Sequence, residues 1–383
     1  QHPFLISQTP AAPEPGQAAG WGRLLGASAP LAAAEYACVV DRPIVVLADD
    51  PRHADQLEAG IRYFAGNRLD VRHFVEWETL PWDSFSPHQD IVSERLSVLA
   101  TAHSMRSGVI VAPATVLLQR LPPVDYVAAR SLSLRAGQKL PREAFVNSLA
   151  AAGYLRVPQV SEHGEFAVRG SLIDVFPMGS QQPIRIDFFD DDIESLRWFS
   201  AETQLSGEAV AAVDVLPARE VPLDAAAIST FRDNYRERFE GQPGQSRVYR
   251  EVSEGIAHGG IEYYLPLFFE STATLLDYLP DDCILLAPHG LDGVLEQAWK
   301  EIEERFELCN LDRERPILSA AETFNTPADM LQALAGLPQI RYSSQSLADG
   351  NATVNYPTRL PPALRIEARY EDAAGALLQF LDD

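Results

Sequence analysis

Hydrophobic spacing changes its period repeatedly along the first third of the chain. RLLGASAPLAAAEYA (23–37) carries its apolar residues at helical spacing. PIVVLA (43–48) follows as a short apolar run suited to a buried parallel strand. DPRHADQLEAGIRYFAG (50–66) reads as an amphipathic helix and VRHFVEW (71–77) as another strand. HQDIVSERLSVLATAHSM (88–105) is helical, with Leu96, Leu99 and Ala100 on one face, and GVIVAPATVLLQRL (108–121) predicts a strand and then a helix. Such alternation predicts a parallel α/β layer.

The pattern changes after Leu121-Pro122-Pro123. GEFAVRGSLIDVFP (164–177) and PIRIDFFDDDIESLRWF (183–199) are short, alternating and turn-bounded, which predicts antiparallel β structure, with a helix near REAFVNSLAAAGY (142–154). Helices return at AAISTFRDNYRERF (226–239) and LDGVLEQAWKEIEERFEL (291–308), with a buried-strand candidate at CILLAP (283–288). A β-rich block between two α/β-like stretches predicts an insertion. The expected fold class is therefore α/β: one parallel domain built from residues 21–124 and 217–345, and a mostly antiparallel β domain, 125–216, inserted into it. Residues 1–20, rich in Pro, Ala and Gln, read as a flexible lead-in, and the Pro/Asn/Gly-punctuated 346–366 as a linker. RYEDAAGALLQFLDD reads as a helix at the start of another domain, 367–383, so the chain is expected to be a piece of a longer protein.

Charge narrows the function. The 383 residues carry 31 Lys+Arg against 54 Asp+Glu, a formal net charge of −23, which excludes a simple phosphate-binding surface. The 217–345 block alone holds 11 basic against 22 acidic residues. Only Lys139 and Lys300 are lysines, and arginine is the cation suited to bidentate contacts with carboxylates. This composition points to a chain that binds proteins. Cys38, Cys283 and Cys309 form no CxxC pair, the start lacks an apolar signal core, and no apolar run approaches the ~20 residues of a membrane span. A soluble, cytoplasmic protein without membrane partners is expected.

The search for chemistry returns little. A phosphate loop needs G-x-x-x-x-G-K-[ST], and the nearest stretch, Gly22 to Ala29, has Gly22 and Gly26 at the wrong spacing and no lysine. The eight histidines are scattered without HExxH or HxH spacing; His88 and His163 sit in turn-like contexts. Asp190-Asp191-Asp192 reads as a solvated turn, and no serine lies in G-x-S-x-G. No catalytic residue and no metal ligand set is expected.

GEFAVRGSLIDVFPMGSQQPIRIDFFDDDIESLRWFSAETQ resembles the inserted domain of the nucleotide-excision-repair protein UvrB, with its G-x-[FY]-x-x-[RK]-G-x-x-[IL]-D-[IL]-F-P pattern. SGVIVAPATVLL, PIVVLADDPRHADQL and GIEYYLPLFFESTATLLDYLPDDCILL are similar to further UvrB segments, in order, over most of residues 21–290. The departures count as much. GASAPL stands where UvrB has its Walker A lysine, and Ala287-Pro288-His289 where it has Walker B carboxylates. The long Tyr-rich hairpin is absent: VRHFVEWETLPWDSFSPHQDIVSERLSVL runs straight into the next helix and is similar to an element of the bacterial transcription-repair coupling factors, the Mfd family.

That resemblance implies a degenerate UvrB- and helicase-like module without its own ATP site, which recruits UvrA where RNA polymerase has stalled. It places ATP and Mg²⁺ in downstream motor domains that translocate on double-stranded DNA and displace the polymerase. It also implies packing of the module against the parent's own C-terminal domain, with a hinge at 346–366. An active UvrB-like DNA-dependent ATPase is the rival, opposed by the missing lysine and carboxylates. The expected UvrA contact is Arg169, Arg185 and Phe189. Alternation in PIRIDFF puts Ile184, Ile186 and Phe188 on a core face and Arg185, Asp187 and Phe189 on the other. Arg169, before Gly170 in the partner strand, completes an Arg-plus-aromatic set of the kind enriched at hot spots; the matching arginines of the family face UvrA. The alternative is a surface pairing of Arg185 with Asp187 or one of Asp190–Asp192, and a Phe189 half-buried by Trp198.

Overall fold

The computed structural model of the chain describes residues 11–239, 241–312, 314–350, 352–360 and 374–382. Strand and helix alternate first: β1 (Ala18–Gly22), α1 (Ser28–Val39), β2 (Pro43–Ala48), α2 (Pro51–Ala65), β3 (Val71–His73), α3 (Gln89–Thr101) and β4 (Gly108–Pro113). Every residue of β2 and β4 is buried, as an unbroken apolar run requires. α2 begins where Asp50 accepts a hydrogen bond from the His53 amide at 2.8 Å and Pro51 needs no donor partner.

An antiparallel block follows: α4 (Val124–Arg130), β5 (Leu132–Arg135), α5 (Arg142–Ala151), β6 (Leu155–Arg156), β7 (Glu165–Arg169), β8 (Leu172–Val175), β9 (Ile184–Phe189), β10 (Asp192–Phe199), β11 (Ser206–Val210) and β12 (Ala212–Val215). The chain returns through α6 (Ala225–Arg238), α7 (Arg247–Ser253), β13 (Ile284–Pro288), α8 (Leu291–Cys309), β14 (Gln339–Tyr342) and β15 (Thr353–Asn355).

The larger sheet has seven strands in the order β15-β1-β14-β13-β2-β4-β3, all paired in parallel. Strands from before and after the antiparallel block are thus interleaved. The smaller sheet runs β11-β10-β9-β8-β7-β6, antiparallel except for β6–β7, and β12 pairs with β5 beside it. The mixed α/β class expected from the periodicity is what the chain forms. Ile44 and Val46 face α1 and α2 through Ala33, Tyr36, Leu57 and Ile61. Val45 and Leu47 face the other way, into a core that continues to Ile173, Ile184 and Ile186 of the smaller sheet.

Three local expectations differ from what forms. The strand expected over 71–77 stops at His73, because Phe74 and Trp77 turn into the core and Trp77 Nε1 donates to Glu220 at 3.3 Å. The helix expected after β4 is one tight turn, Ala114–Leu118, since Gln119 and Leu121 leave it to bridge Phe324 and Ala273. Within the segments expected as lead-in and linker, Ala18–Gly20 belong to β1, and Thr353–Asn355 pair alongside it. An edge left open there would expose unpaired backbone groups, and Asn355 closes the turn with 2.9 Å bonds to the Leu347 amide and carbonyl. Residues 1–10 of the lead-in, 361–366 of the linker and 367–373 of the expected next domain lie outside the described residues. A helix spans Gly375–Asp382. No helix among the described residues is long and apolar enough to cross a membrane.

Buried polar contacts hold the smaller sheet against the body. Arg95 of α3 meets Glu220, on the stretch that returns from β12, through Nε at 2.6 Å and Nη2 at 3.3 Å, and donates to Val75 O and Gln119 Oε1 as well. Tyr126 donates to Arg219 O at 2.9 Å, and His163 reaches Asp90 of α3 and the Ser180 carbonyl, at 2.6 and 2.7 Å. Nearby, desolvation pushes the Glu262 carboxyl up to about 7, although it accepts a hydrogen bond from Ser86 at 2.8 Å. Its folded pKa is raised, so the stability it contributes is complete below its ordinary 4.5 and is lost as pH rises through about 7. Glu262→Gln keeps an acceptor for Ser86 and removes the ionisation. The variant should gain about 1–3 kcal/mol over wild type at pH 8 and little at pH 4.5. Equal gains at both pH values in thermal melts would contradict this origin.

Candidate functional site

The outward face of the smaller sheet is assembled by strand alternation. Ile184, Ile186 and Phe188 are buried against α5 residues Phe145 and Leu149, and the intervening residues point the other way. Phe189 is 73% exposed at the end of β9, opposite Asp192 across a two-residue hairpin loop. Asp190, the first loop residue, has φ +56°, a left-handed conformation that Asp tolerates better than most residues. Arg169 lies opposite Leu172, and Leu172 opposite Asp187, so these three form one row across β7, β8 and β9. Arg169 is exposed and donates to the Pro158 carbonyl at 3.0 Å. With strands ~4.8 Å apart, Arg169 and Phe189 stand about 12 Å apart on one face of the sheet, whose next row, Ala167 and Asp174, is covered.

Arg185 sits differently. The next row places Ala167, Asp174, Arg185 and Arg197 opposite one another. Arg185 Nε and Nη2 hold both oxygens of Asp174, at 2.7 and 2.9 Å, while Nη1 donates to Gln204 O and Ser206 Oγ. Its guanidinium lies 4.7 Å from the Phe199 ring centre. Only 17% of the Arg185 side chain is exposed and 1% of Asp174, and the hydrogen bonds to Asp174 raise the guanidinium pKa above its ordinary value. The partner of Arg185 is therefore neither Asp187 nor any of Asp190–Asp192. Trp198 does not cover Phe189, because the register sets it opposite Ile184 on the inner face. Asp174 was the residue that sequence reasoning missed. Its signal was an acid flanked by Ile173 and Val175 in a buried strand, on the same face as Arg185.

The strand–loop–helix from β1 to α1 has the connectivity of a phosphate loop, but the amides of residues 23–25 at its strand end are already engaged. The Arg23 and Leu24 amides donate to Gln345 O and Ser343 O, and the Leu25 amide to Thr358 Oγ1 at 3.3 Å. The Thr358 hydroxyl in turn donates to Arg23 O. Gly22 is required here, since a Cβ would stand 2.0 Å from Asn355 Oδ1. Gly26 takes φ +57° in open space. Leu24, Leu25, Leu31, Phe64 and Tyr356 line the neighbouring cleft, a mostly apolar surface whose one cation among the described residues is Arg359. At the end of β13, Ala287 and Pro288 are buried, and His289 is exposed, its amide bonded to Tyr342 O. No group of three or more His, Cys, Asp or Glu suited to a metal ion occurs among the described residues.

Comparison with known proteins fits this geometry. A family model described as the UvrB interaction domain matches residues 132–221, the stretch that contains the whole smaller sheet. The chain is 38% identical over 362 residues to the transcription-repair-coupling factor of Escherichia coli K12 and 35% identical over 362 residues to that of Haemophilus influenzae. Each alignment covers 94% of this chain and 31% of the relative. The factor of Bacillus subtilis is 28% identical over 247 residues, covering 60% of this chain and 21% of the relative. The chain therefore spans about a third of the length of the curated relatives it matches.

Proposed function

Because this chain belongs to the transcription-repair-coupling factors as their UvrB-like module, we propose that it is a non-catalytic docking module that recruits UvrA to lesions where RNA polymerase has stalled. The observation that carries this reading is the end of the smaller sheet where an exposed Phe189 and Arg169 flank Leu172 and Asp187, inside the stretch matching the UvrB interaction domain. A large aromatic and an arginine at the ends of strands in a rigid sheet suit a partner's pocket. In this reading Arg185 is a positioning residue that holds the face in shape.

The parallel sheet is read as a helicase-like domain whose two segments, 21–124 and 217–345, flank the UvrA-binding insertion. The lysine-free β1–α1 loop and the Ala-Pro-His end of β13 favour a module without ATP turnover over an active UvrB-like ATPase. ATP-driven translocation on double-stranded DNA and displacement of the polymerase would then belong to other parts of the parent, with the parent's C-terminal domain covering this face at rest.

Titration of UvrA into the purified chain tests the reading. Phe189→Ala should weaken binding about thirty-fold, roughly 2 kcal/mol, and Arg169→Ala by a comparable factor, with melting temperatures unchanged. No ATP should be turned over in the same preparations. Wild-type affinity in the double variant would move the UvrA contact elsewhere, and ATP turnover lost on mutating around Gly26 would revive the ATPase reading.

A further inference from the structure

A second surface, remote in sequence from the UvrA-type face, surrounds the C-terminal end of α8. Leu308 and Leu311 are 72% and 81% exposed there, beside a groove also lined by Cys309, Asp312, Arg315 and Ile317. The loop that α8 grips itself carries two exposed apolar side chains, Leu80 and Phe85. Arg305 holds this loop through Pro81 O at 2.8 Å and the Asp83 carboxylate at 2.5 Å, and Arg315 donates to Trp82 O at 2.7 Å. These ties make the leucines part of a fixed surface. Large apolar side chains gathered on an ordered surface mark an interaction site more often than single exposed residues do.

Charge identifies the occupant. Glu303, Glu304 and Glu307 are exposed on the last turns of α8, and Asp312 and Glu314 follow. The last turn holds no basic residue, so the negative end of the helix dipole is uncompensated by α8 itself. Among the described residues nearby, Arg305 and Arg315 are spent on the 81–83 loop and Lys300 lies 3.7 Å from Glu304; with Arg313 counted, the stretch 301–315 still carries six acidic residues against three arginines. A second copy of a chain with net charge −23 is repelled here, as are nucleic acid and anionic lipid. We propose that the end of α8 docks a basic amphipathic helix of a partner protein, with leucine-type residues in the groove and lysines or arginines against Glu303, Glu304 and Glu307.

The test uses the whole chain and a defined probe, a peptide of about 18 residues with Leu at i, i+3, i+4 and i+7 and Lys elsewhere. Its control replaces every Leu with Ser at the same charge. Calorimetry should show saturable binding of the Leu/Lys probe and none of the Lys/Ser control. Leu308→Ser with Leu311→Ser, which leaves the charge and the core untouched, should weaken binding at least about tenfold. Glu303→Gln with Glu307→Gln should weaken it and flatten its salt dependence. Equal binding of both peptides, or a double-serine variant as tight as wild type, would reduce the effect to net charge and overturn the proposal. Failure here leaves the UvrA reading intact, since neither Phe189 nor Arg169 is involved.

Discussion

Arg95→Ala should cost the fold about 3–5 kcal/mol in urea unfolding, the largest loss expected from any single change considered for this protein. Arg95 is fully buried and Glu220 almost so, and the guanidinium is stacked 4.5 Å from the Phe74 ring centre and 5.1 Å from that of Trp77. Deleting it strands the Glu220 carboxylate with one remaining donor, Trp77 Nε1, and strips a donor from Val75 O and from Gln119. An uncompensated charge in this setting costs more than the pair contributes. The double variant Arg95→Met with Glu220→Leu should therefore recover most of the loss, because no charge is then left buried. Glu220 lies where the chain re-enters the body from the smaller sheet, so the single variant should also loosen that crossing. A loss below about 1 kcal/mol, or a double variant no better than the single one, would show that the pair carries little of this load.

Asp174→Ala should cost about 2–4 kcal/mol, concentrated in the smaller sheet. Asp174 has 1% exposure and meets Arg185 through two parallel hydrogen bonds. Without it Arg185 keeps only Gln204 O, Ser206 Oγ and the Phe199 ring, and the central strands β8 and β9 lose their cross-strand brace. Amide exchange should accelerate in β8, β9 and β10 while β2 and β4 keep their protection. The same logic separates structural from contact roles in UvrA titrations. Arg185→Ala should lose affinity only together with sheet stability, whereas Phe189→Ala should lose affinity alone. Unchanged exchange in the Asp174 variant would refute the brace, and Arg185 would then be free to act as a direct contact.

Much of this was legible beforehand. PIVVLA, GVIVAP and CILLAP are short apolar runs with few alternatives to a buried strand, and all three are neighbours in the larger sheet. The alternation of PIRIDFF assigned its core face correctly, because a strand's period of two is a property of the backbone itself. The exposed Phe189 followed from the same parity. β1, β14 and β15 were not read, since AAGWG, QIRY and TVN are short and carry no distinctive pattern. They are strands because neighbours complete their hydrogen bonds.

The chain's own pattern thus determined which segments are helix or strand and which way most side chains face, since both depend on a few residues and a fixed local period. Partner choice was decided by the tertiary structure. Arg185 has five carboxylates within the next nine residues, Asp187, Asp190, Asp191, Asp192 and Glu194, yet it bonds Asp174 across the register between β8 and β9. Likewise Thr358 satisfies Leu25 from 333 positions away, and Arg95 finds Glu220 across 125. Such pairings depend on where whole sheets come to rest, and burial then makes losing one partner far costlier than it is for the nearer surface alternatives.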